Sequence, residues 1–153
     1  MRVTLDSTIL VRANQRATGL ARAVLLELLE GEHTLVLSVS VLDEVERVLH
    51  YPRLIKRFAL TETEITQFVA FLTTASEIVE VDEAIMPPIR DPKDIHILRT
   101  AIGGRARYVC TLDQHFFESS VVAFCARHDV TVISDLELLH VVRGTSSKKN
   151  VEH

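Results

Sequence analysis

RDPKDIHILRTAIGGRARYVCTLDQHFF, residues 90–117, holds a helix and then a strand, and its reading decides the fold. Asp91 is a good N-cap residue, and Pro92 stands at the first helical position, where a missing N–H costs nothing. Ile95, Leu98, Ala101 and Ile102 recur at helical spacing, so residues 92–102 read as a helix with Leu98 central in its apolar stripe. Gly103 and Gly104 stop it. Residues 108–111, YVCT, are short and apolar and read as a strand, with Asp113 two residues beyond.

The same alternation extends in both directions. Residues 3–5, 34–37, 78–81 and 130–133 read as further strands. Helices are expected at 16–29, closed by Gly31, and from the caps Ser38 and Ser40 to His50, stopped by Pro52. Others are expected at 53–58, at 61–74 where Thr61 and Glu64 have capping-box spacing, at 114–126, and at 135–142 with Asp135 as the cap. Residues 82–90, with Pro87 and Pro88, read as a loop. Short apolar strands alternating with helices predict an α/β protein whose mainly parallel sheet is covered on both faces. The domain is expected to span residues 1–143, with a flexible tail over 144–153.

A chain of 153 residues can bury a single core without disulfide or metal staples. Its 47% hydrophobic content excludes a disordered chain. The net charge of −4 argues against a protein that coats nucleic acid with a basic surface, but not against an enzyme that gathers carboxylates around cations. Cys110 and Cys125 form no C-x-x-C pair and read as small buried hydrophobes, which suits a reduced cytoplasm. Asp6 interrupts the N-terminus before a signal-peptide core can form, and no apolar run is long enough for a membrane span. A cytoplasmic location without membrane contact is therefore expected.

Four acids fall at equivalent places in this pattern. Asp6 directly follows the first strand, and Asp113 follows the fourth. Glu44 and Asp94 lie in the first turns of the helices after the second and third strands. In a parallel α/β sheet these places share one edge, where ligands bind at the reversal of strand order. Asp94 falls within the apolar stripe of its helix, where an unpaired charge is costly. On the preceding helix, Val41, Leu42, Val45, Val48 and Leu49 form the stripe, Glu44 lies on its flank, and Asp43 and Arg47 point away. Clustered carboxylates raise one another's pKa unless a cation holds them, and oxygen ligands suit Mg²⁺ or Mn²⁺.

Plainer readings exist for each residue. Asp91 caps its helix, Asp113 can cap the helix from Gln114, Asp6 can serve a turn, Glu44 can be a surface acid, and Asp43 can join a cap with Ser40. His96 and His115 are near enough in sequence for general-base work, or they are surface groups. Arg12, Arg90 and Lys93 can meet phosphates or simply be solvated.

The residues carry a recognisable pattern. DSTIL, residues 6–10, resembles the D-T-N-x-L opening of PIN domains, and SVSVLDEVERVL, residues 38–49, resembles the segment with that family's helical glutamate. RDPKDIHIL, residues 90–98, is similar to its D-P-x-D-x-x-I-L segment, and RYVCTLDQHFF, residues 107–117, to its strand ending in T-x-D-x-x-F/L. The order and spacing extend over residues 1–140 and come closest to VapC-like toxins of toxin–antitoxin pairs.

The resemblance implies a three-layer α/β/α PIN-like fold with a five-stranded parallel sheet, strand order 3-2-1-4-5. It carries over Asp6, Glu44, Asp94 and Asp113 as a catalytic acidic tetrad that works with Mg²⁺ or Mn²⁺. Within that tetrad we expect Asp6, Asp94 and Asp113 to hold the ion and Glu44 to orient the attacking water. Ser7, Thr8, Asp91 and His115 are supporting residues. It further implies an endoribonuclease acting on RNA, a homodimer, and a cognate antitoxin as partner. Two positions depart from the family: its asparagine is Thr8 here, and the acid often found two after the fourth aspartate is His115.

Two other classes of function compete. A PIN-like module that binds RNA or protein without cutting would show tight binding and no metal-dependent cleavage. A phosphotransfer enzyme using Asp6 as nucleophile would need a second acid where Thr8 stands, and a phospho-receiver would need a lysine ending the fifth strand, which is absent.

Overall fold

A computed structural model describes the backbone of residues 1–151 and the side chains of residues 1–145. β1 (Arg2–Leu5) and β2 (Thr34–Leu37) are apolar and almost wholly buried, as central parallel strands must be when both faces are covered. β4 (Tyr108–Cys110) pairs with β1 on its other side, β5 (Thr131–Ile133) with β4, and β3 (Glu77–Ile78) with β2. The sheet is entirely parallel, in the order β3-β2-β1-β4-β5. Val3 lies opposite Leu35 on one side and Tyr108 on the other. The exposed edge strand β3 has two residues, too short to template pairing with another chain.

The helices are α1 (Ser7–Val11), α2 (Leu20–Glu30), α3 (Val39–Leu49), α4 (Pro52–Phe58), α5 (Glu62–Ala75), α6 (Pro92–Gly103), α7 (Ser119–Arg127) and α8 (Asp135–Val151). The chain crosses the sheet one way through β1, β2 and β3, and the other way through β3, β4 and β5. Right-handed crossovers then place α2 on one face and α6 and α7 on the other. α6 packs across β1, β2 and β4, while α2 packs on α8. Gly104 ends α6 where any Cβ would run into the side chain of Val36 on β2, so this helix–sheet approach requires glycine. Strand order reverses beside β1, which opens the ligand crevice outside the C-terminal ends of β1 and β4.

Several boundaries differ from expectation for local reasons. A short helix, α1, directly follows Asp6, where none was expected. The helix expected from Arg16 begins at Leu20. Asn14 makes a turn instead, donating to Val11 O at 2.8 Å and accepting from Arg16 N at 2.8 Å, and the Arg16 guanidinium binds Glu64 at 2.8 and 2.9 Å. The third strand is Glu77–Ile78 rather than 78–81; only Val79 N adds one further bond, to Leu37 O.

The helix expected at 114–126 is two pieces. A 3₁₀ turn, Gln114–Phe117, is anchored by fully buried Phe116, and extended Glu118 separates it from α7. Ser134, not Asp135, caps the last helix: Ser134 Oγ accepts from Glu137 N and Ser134 N donates to Glu137 Oε1, each at 3.2 Å. α8 continues past the expected end at Val142 and through Gly144 to Val151, and residues 152–153 of the expected tail lie outside the described residues. Asp43 is exposed and takes no part in the α3 cap; Ser38 occupies the cap position, with its hydroxyl 2.8 Å from Thr100 Oγ1. No helix among the described residues is long and apolar enough to cross a membrane.

Candidate active site

Asp6 is the first residue beyond β1, and its N–H donates to Cys110 O at 2.9 Å, which ties the ends of β1 and β4 together. Its side chain is 6% exposed. Oδ1 accepts from Ser7 Oγ at 3.3 Å and Oδ2 from Thr111 Oγ1 at 2.7 Å. Burial raises the carboxyl above its ordinary range, and the Thr111 and Ser7 hydroxyls, with backbone groups of Ser7 and Thr8, oppose that rise. Thr111 Oγ1 also accepts from Asp113 N at 3.0 Å, so one hydroxyl orders both ends of the two strands.

Asp94 lies in the first turn of α6 and is 7% exposed. The buried stripe of this helix is Asp94, Ile97, Leu98, Thr100 and Ala101, so Ile97 takes the place expected for Ile95. Asp94 Oδ2 is buried without a hydrogen-bond partner among the described residues. Burial first, then the charges of Asp113, Asp91 and Asp6, push its pKa up to about 7, against a weaker opposing effect of His115. Asp113 is half exposed and caps the 3₁₀ turn by accepting from His115 N at 2.9 Å. One ligand atom each from Asp94, Asp113 and His115 lies within 4.8 Å of the others.

Glu44 is 9% exposed, more enclosed than a flank position suggests. Burial raises its pKa and so does Asp6, while Lys93, whose Nζ lies 3.9 Å from Oε1, lowers it. Asp6, Glu44, Asp94 and Asp113 therefore share one electrostatic neighbourhood, in which Asp6 raises both Glu44 and Asp94. Asp91 is exposed and caps α6 by accepting from Lys93 N at 3.0 Å. It borders two clefts at once. One, of about 470 Å³, is lined by Pro88, Ile89, Arg90, His115 and Glu118; the other, of about 450 Å³, includes Glu44, Arg47, Lys93 and His96.

Thr8 does not direct its side chain to Asp6. It is exposed and borders a third cleft, of about 200 Å³, with Arg12, Arg53 and Arg57 around the apolar residues Val11, Val48, Leu54 and Phe58. These three arginines have no carboxylate partner among the described residues. A larger cavity, about 710 Å³, opens at the opposite sheet edge beside Arg107 and Thr131 and is lined by none of Asp6, Glu44, Asp94 and Asp113, so its size does not mark the site.

Two residues at the edge escaped the reading of the sequence. Thr111 is the T of the T-x-D motif, and its hydroxyl, not its place in a strand, is what matters at Asp6. Asp135, read as a cap, is 9% exposed two residues beyond β5 and adds negative charge near Cys110. Cys110 and Cys125 are free and buried; burial raises both thiols, Cys125 to about 11, so neither offers a thiolate nucleophile.

The donor set fits a divalent cation on the evidence of Asp94, whose buried Oδ2 has no partner and whose neighbours are themselves carboxylates. An entirely parallel 3-2-1-4-5 sheet with acids converging at its switch point defines a class of α/β proteins whose acidic residues gather at one edge of the sheet. The family model of the PIN domain matches residues 2–115, three-quarters of the chain, and the protein belongs to that family. Its fold is similar to that in the crystal structure of VapBC2 from Rickettsia felis bound to a DNA fragment from their promoter. That match has a TM-score of 0.57 at 14% identity, over 88% of this chain and 98% of the other. No curated protein matches the sequence.

Proposed function

We propose that this PIN-domain protein is a divalent-metal-dependent endoribonuclease. The observation that carries the reading is Asp94: a carboxylate buried against Asp113 and in the field of Asp6, with one oxygen unpartnered, is stable as a charged group only with a cation beside it. Asp94 and Asp113 would hold the ion, with Asp6 completing the negative field. A divalent ion bound there supplies Lewis-acid stabilisation of a phosphodiester and lowers the pKa of water. The protein's own groups do the rest. Thr111 and Ser7 hold Asp6 in one orientation, and Glu44, buried beside Lys93, takes a proton from the attacking water at Oε1 or Oε2. The unpaired Arg12, Arg53 and Arg57 offer contacts to RNA phosphates flanking the cut.

The resemblance to VapC-like toxins extends this reading to a cytoplasmic toxin that acts as a homodimer and is restrained by a cognate antitoxin. VapBC2, as a complex on promoter DNA, is the kind of assembly expected.

The test is cleavage of a mixed RNA panel by purified protein with Mn²⁺, with Mg²⁺ and with chelator, beside Asp6→Asn and Asp94→Asn proteins. Cleavage that needs both the ion and the two acids supports the reading. Equal cleavage by the Asp6→Asn protein, or in chelator, overturns it. Tight RNA binding by a folded, ion-loaded protein that never cuts would favour a binding module instead.

A further inference from the structure

His115 stands where the family pattern often has an acid, and the fold brings it to the cation site rather than away from it. The 3₁₀ turn Gln114–Phe117 is pinned at one end by the Asp113 carboxylate, which accepts from His115 N at 2.9 Å, and within by fully buried Phe116. The backbone of His115 is therefore set. Its side chain is 68% exposed, yet Nδ1 lies 3.5 Å from Asp113 Oδ1. Ligand atoms of Asp94, Asp113 and His115 all lie within 4.8 Å of one another. Ligands bound at about 2.0–2.2 Å from one ion stand at most about 4.4 Å apart. At 4.8 Å or less the three atoms exceed that span by at most about 0.4 Å, and the His115 imidazole is the most exposed of the three side chains.

Asp94 is the second observation that points to a ligand. It is more than nine-tenths buried, faces these two groups, and keeps Oδ2 unpartnered. The set is thus two carboxylates and one imidazole. Mg²⁺ prefers oxygen ligands and retains its waters, whereas imidazole nitrogen favours first-row transition ions.

We propose that His115 is a direct ligand, with Asp94 and Asp113, of a first-row transition ion, and that it makes this site select Mn²⁺ over Mg²⁺. The inference rests on the proposed cation site of the nuclease reading, but not on RNA being its substrate. An acid at position 115 would add a third carboxylate and favour Mg²⁺; the histidine exchanges that hard donor for a softer one.

The test needs no RNA. The full chain is titrated with Mn²⁺ and with Mg²⁺, and the Mn²⁺ complex is examined by pulsed EPR for coupling to a directly bound ¹⁴N. His115→Ala, His115→Asp and, because His96 is the other nearby imidazole, His96→Ala are compared. Nitrogen coupling is expected in the wild type and in His96→Ala, and its loss in both His115 variants. His115→Ala should weaken Mn²⁺ at least about tenfold, the lower end of what losing a metal-orienting group costs, and leave Mg²⁺ nearly unchanged. His115→Asp should narrow the Mn²⁺:Mg²⁺ preference by a similar factor. Mn²⁺ bound without nitrogen coupling, coupling that survives His115→Ala, or an unchanged ion preference would each overturn the proposal. A protein that binds no divalent ion fails both this proposal and the nuclease reading. Nitrogen-coupled Mn²⁺ with no RNA cleavage would uphold the ligand and sink the nuclease.

Discussion

Thr111 holds Asp6: its hydroxyl donates a 2.7 Å hydrogen bond to Asp6 Oδ2 across the junction of β4 and β1. Thr111 Oγ1 in turn accepts from Asp113 N, so the position of Asp6 depends on the backbone of Asp113. This bond is the main influence opposing the rise that burial imposes on Asp6.

Thr111→Val keeps the shape of the side chain and removes the hydroxyl. Asp6 then loses its best donor and its pKa rises further, so the acid limb of the pH–rate profile for metal-dependent cleavage should move to higher pH. Leaving a buried acceptor without its donor should also cost about 1–3 kcal/mol in urea unfolding. An unmoved acid limb would remove Thr111 from the positioning of Asp6.

Asp94 sets a pH dependence of the metal-free protein. Its carboxyl titrates near 3.8 unfolded and is pushed up to about 7 in the fold. Between these values the folded chain holds a proton that the unfolded chain has released, so the contribution of Asp94 to stability is greatest below about pH 4 and declines as pH rises toward 7. Asp6 and Glu44, also raised, add to the decline. Thermal melts in chelator from pH 5 to 8 should show it, with a shallower slope for Asp94→Asn and a higher melting temperature than wild type at pH 8. Divalent ions should restore wild-type stability more at pH 8 than at pH 6, because the ligands must be deprotonated. Parallel slopes for the two proteins would refute this account.

Glu44→Gln should lower single-turnover cleavage by about 100-fold or more, the scale of a lost general base. Its unfolding midpoint should hold or rise, because a buried charge is replaced by an amide. Lys93→Ala should matter far less, since the pair is 3.9 Å apart and the lysine is half exposed. Equal losses in the two variants would mean that the ion pair, not the carboxylate, is what cleavage needs.

The arginine cleft makes a prediction about salt. Replacing Arg12, Arg53 and Arg57 with alanine should weaken binding of single-stranded RNA and flatten its salt dependence by about 0.7 in log–log slope for each phosphate no longer neutralised. Fluorescence anisotropy in an Asp6→Asn background measures this without cleavage. Mn²⁺ affinity should be unchanged. A slope equal to the parent's would place the RNA elsewhere.

Much of this architecture was legible in local chemistry. The Thr61–Glu64 capping box, the Asp91-Pro92 helix start and the Gly103–Gly104 stop all lie where their residue types predict. Asp94 was legible as a misplaced charge, because helical periodicity alone puts it on the buried face. The same rules failed where a side chain was recruited from afar. Arg16 reads as a helical residue but is held by Glu64, 48 positions away. The 114–126 segment reads as one helix, but Phe116 must enter the core, which breaks the chain at Glu118.

Hydrophobic period, caps and breakers each act within a few residues. They were enough to dictate the alternating α/β pattern, the parallel sheet and the place of four acids at one edge. How those acids meet depends instead on the assembled fold. The Thr111–Asp6 bond joins residues 105 apart and exists because β4 pairs with β1 rather than with its neighbours in the chain. The crossing of α6 over β1, β2 and β4 leaves Asp94 Oδ2 without a donor among the described residues, and the 3₁₀ turn brings His115 near Asp94. Each is a matter of desolvation and distance between separate elements, which no local period encodes.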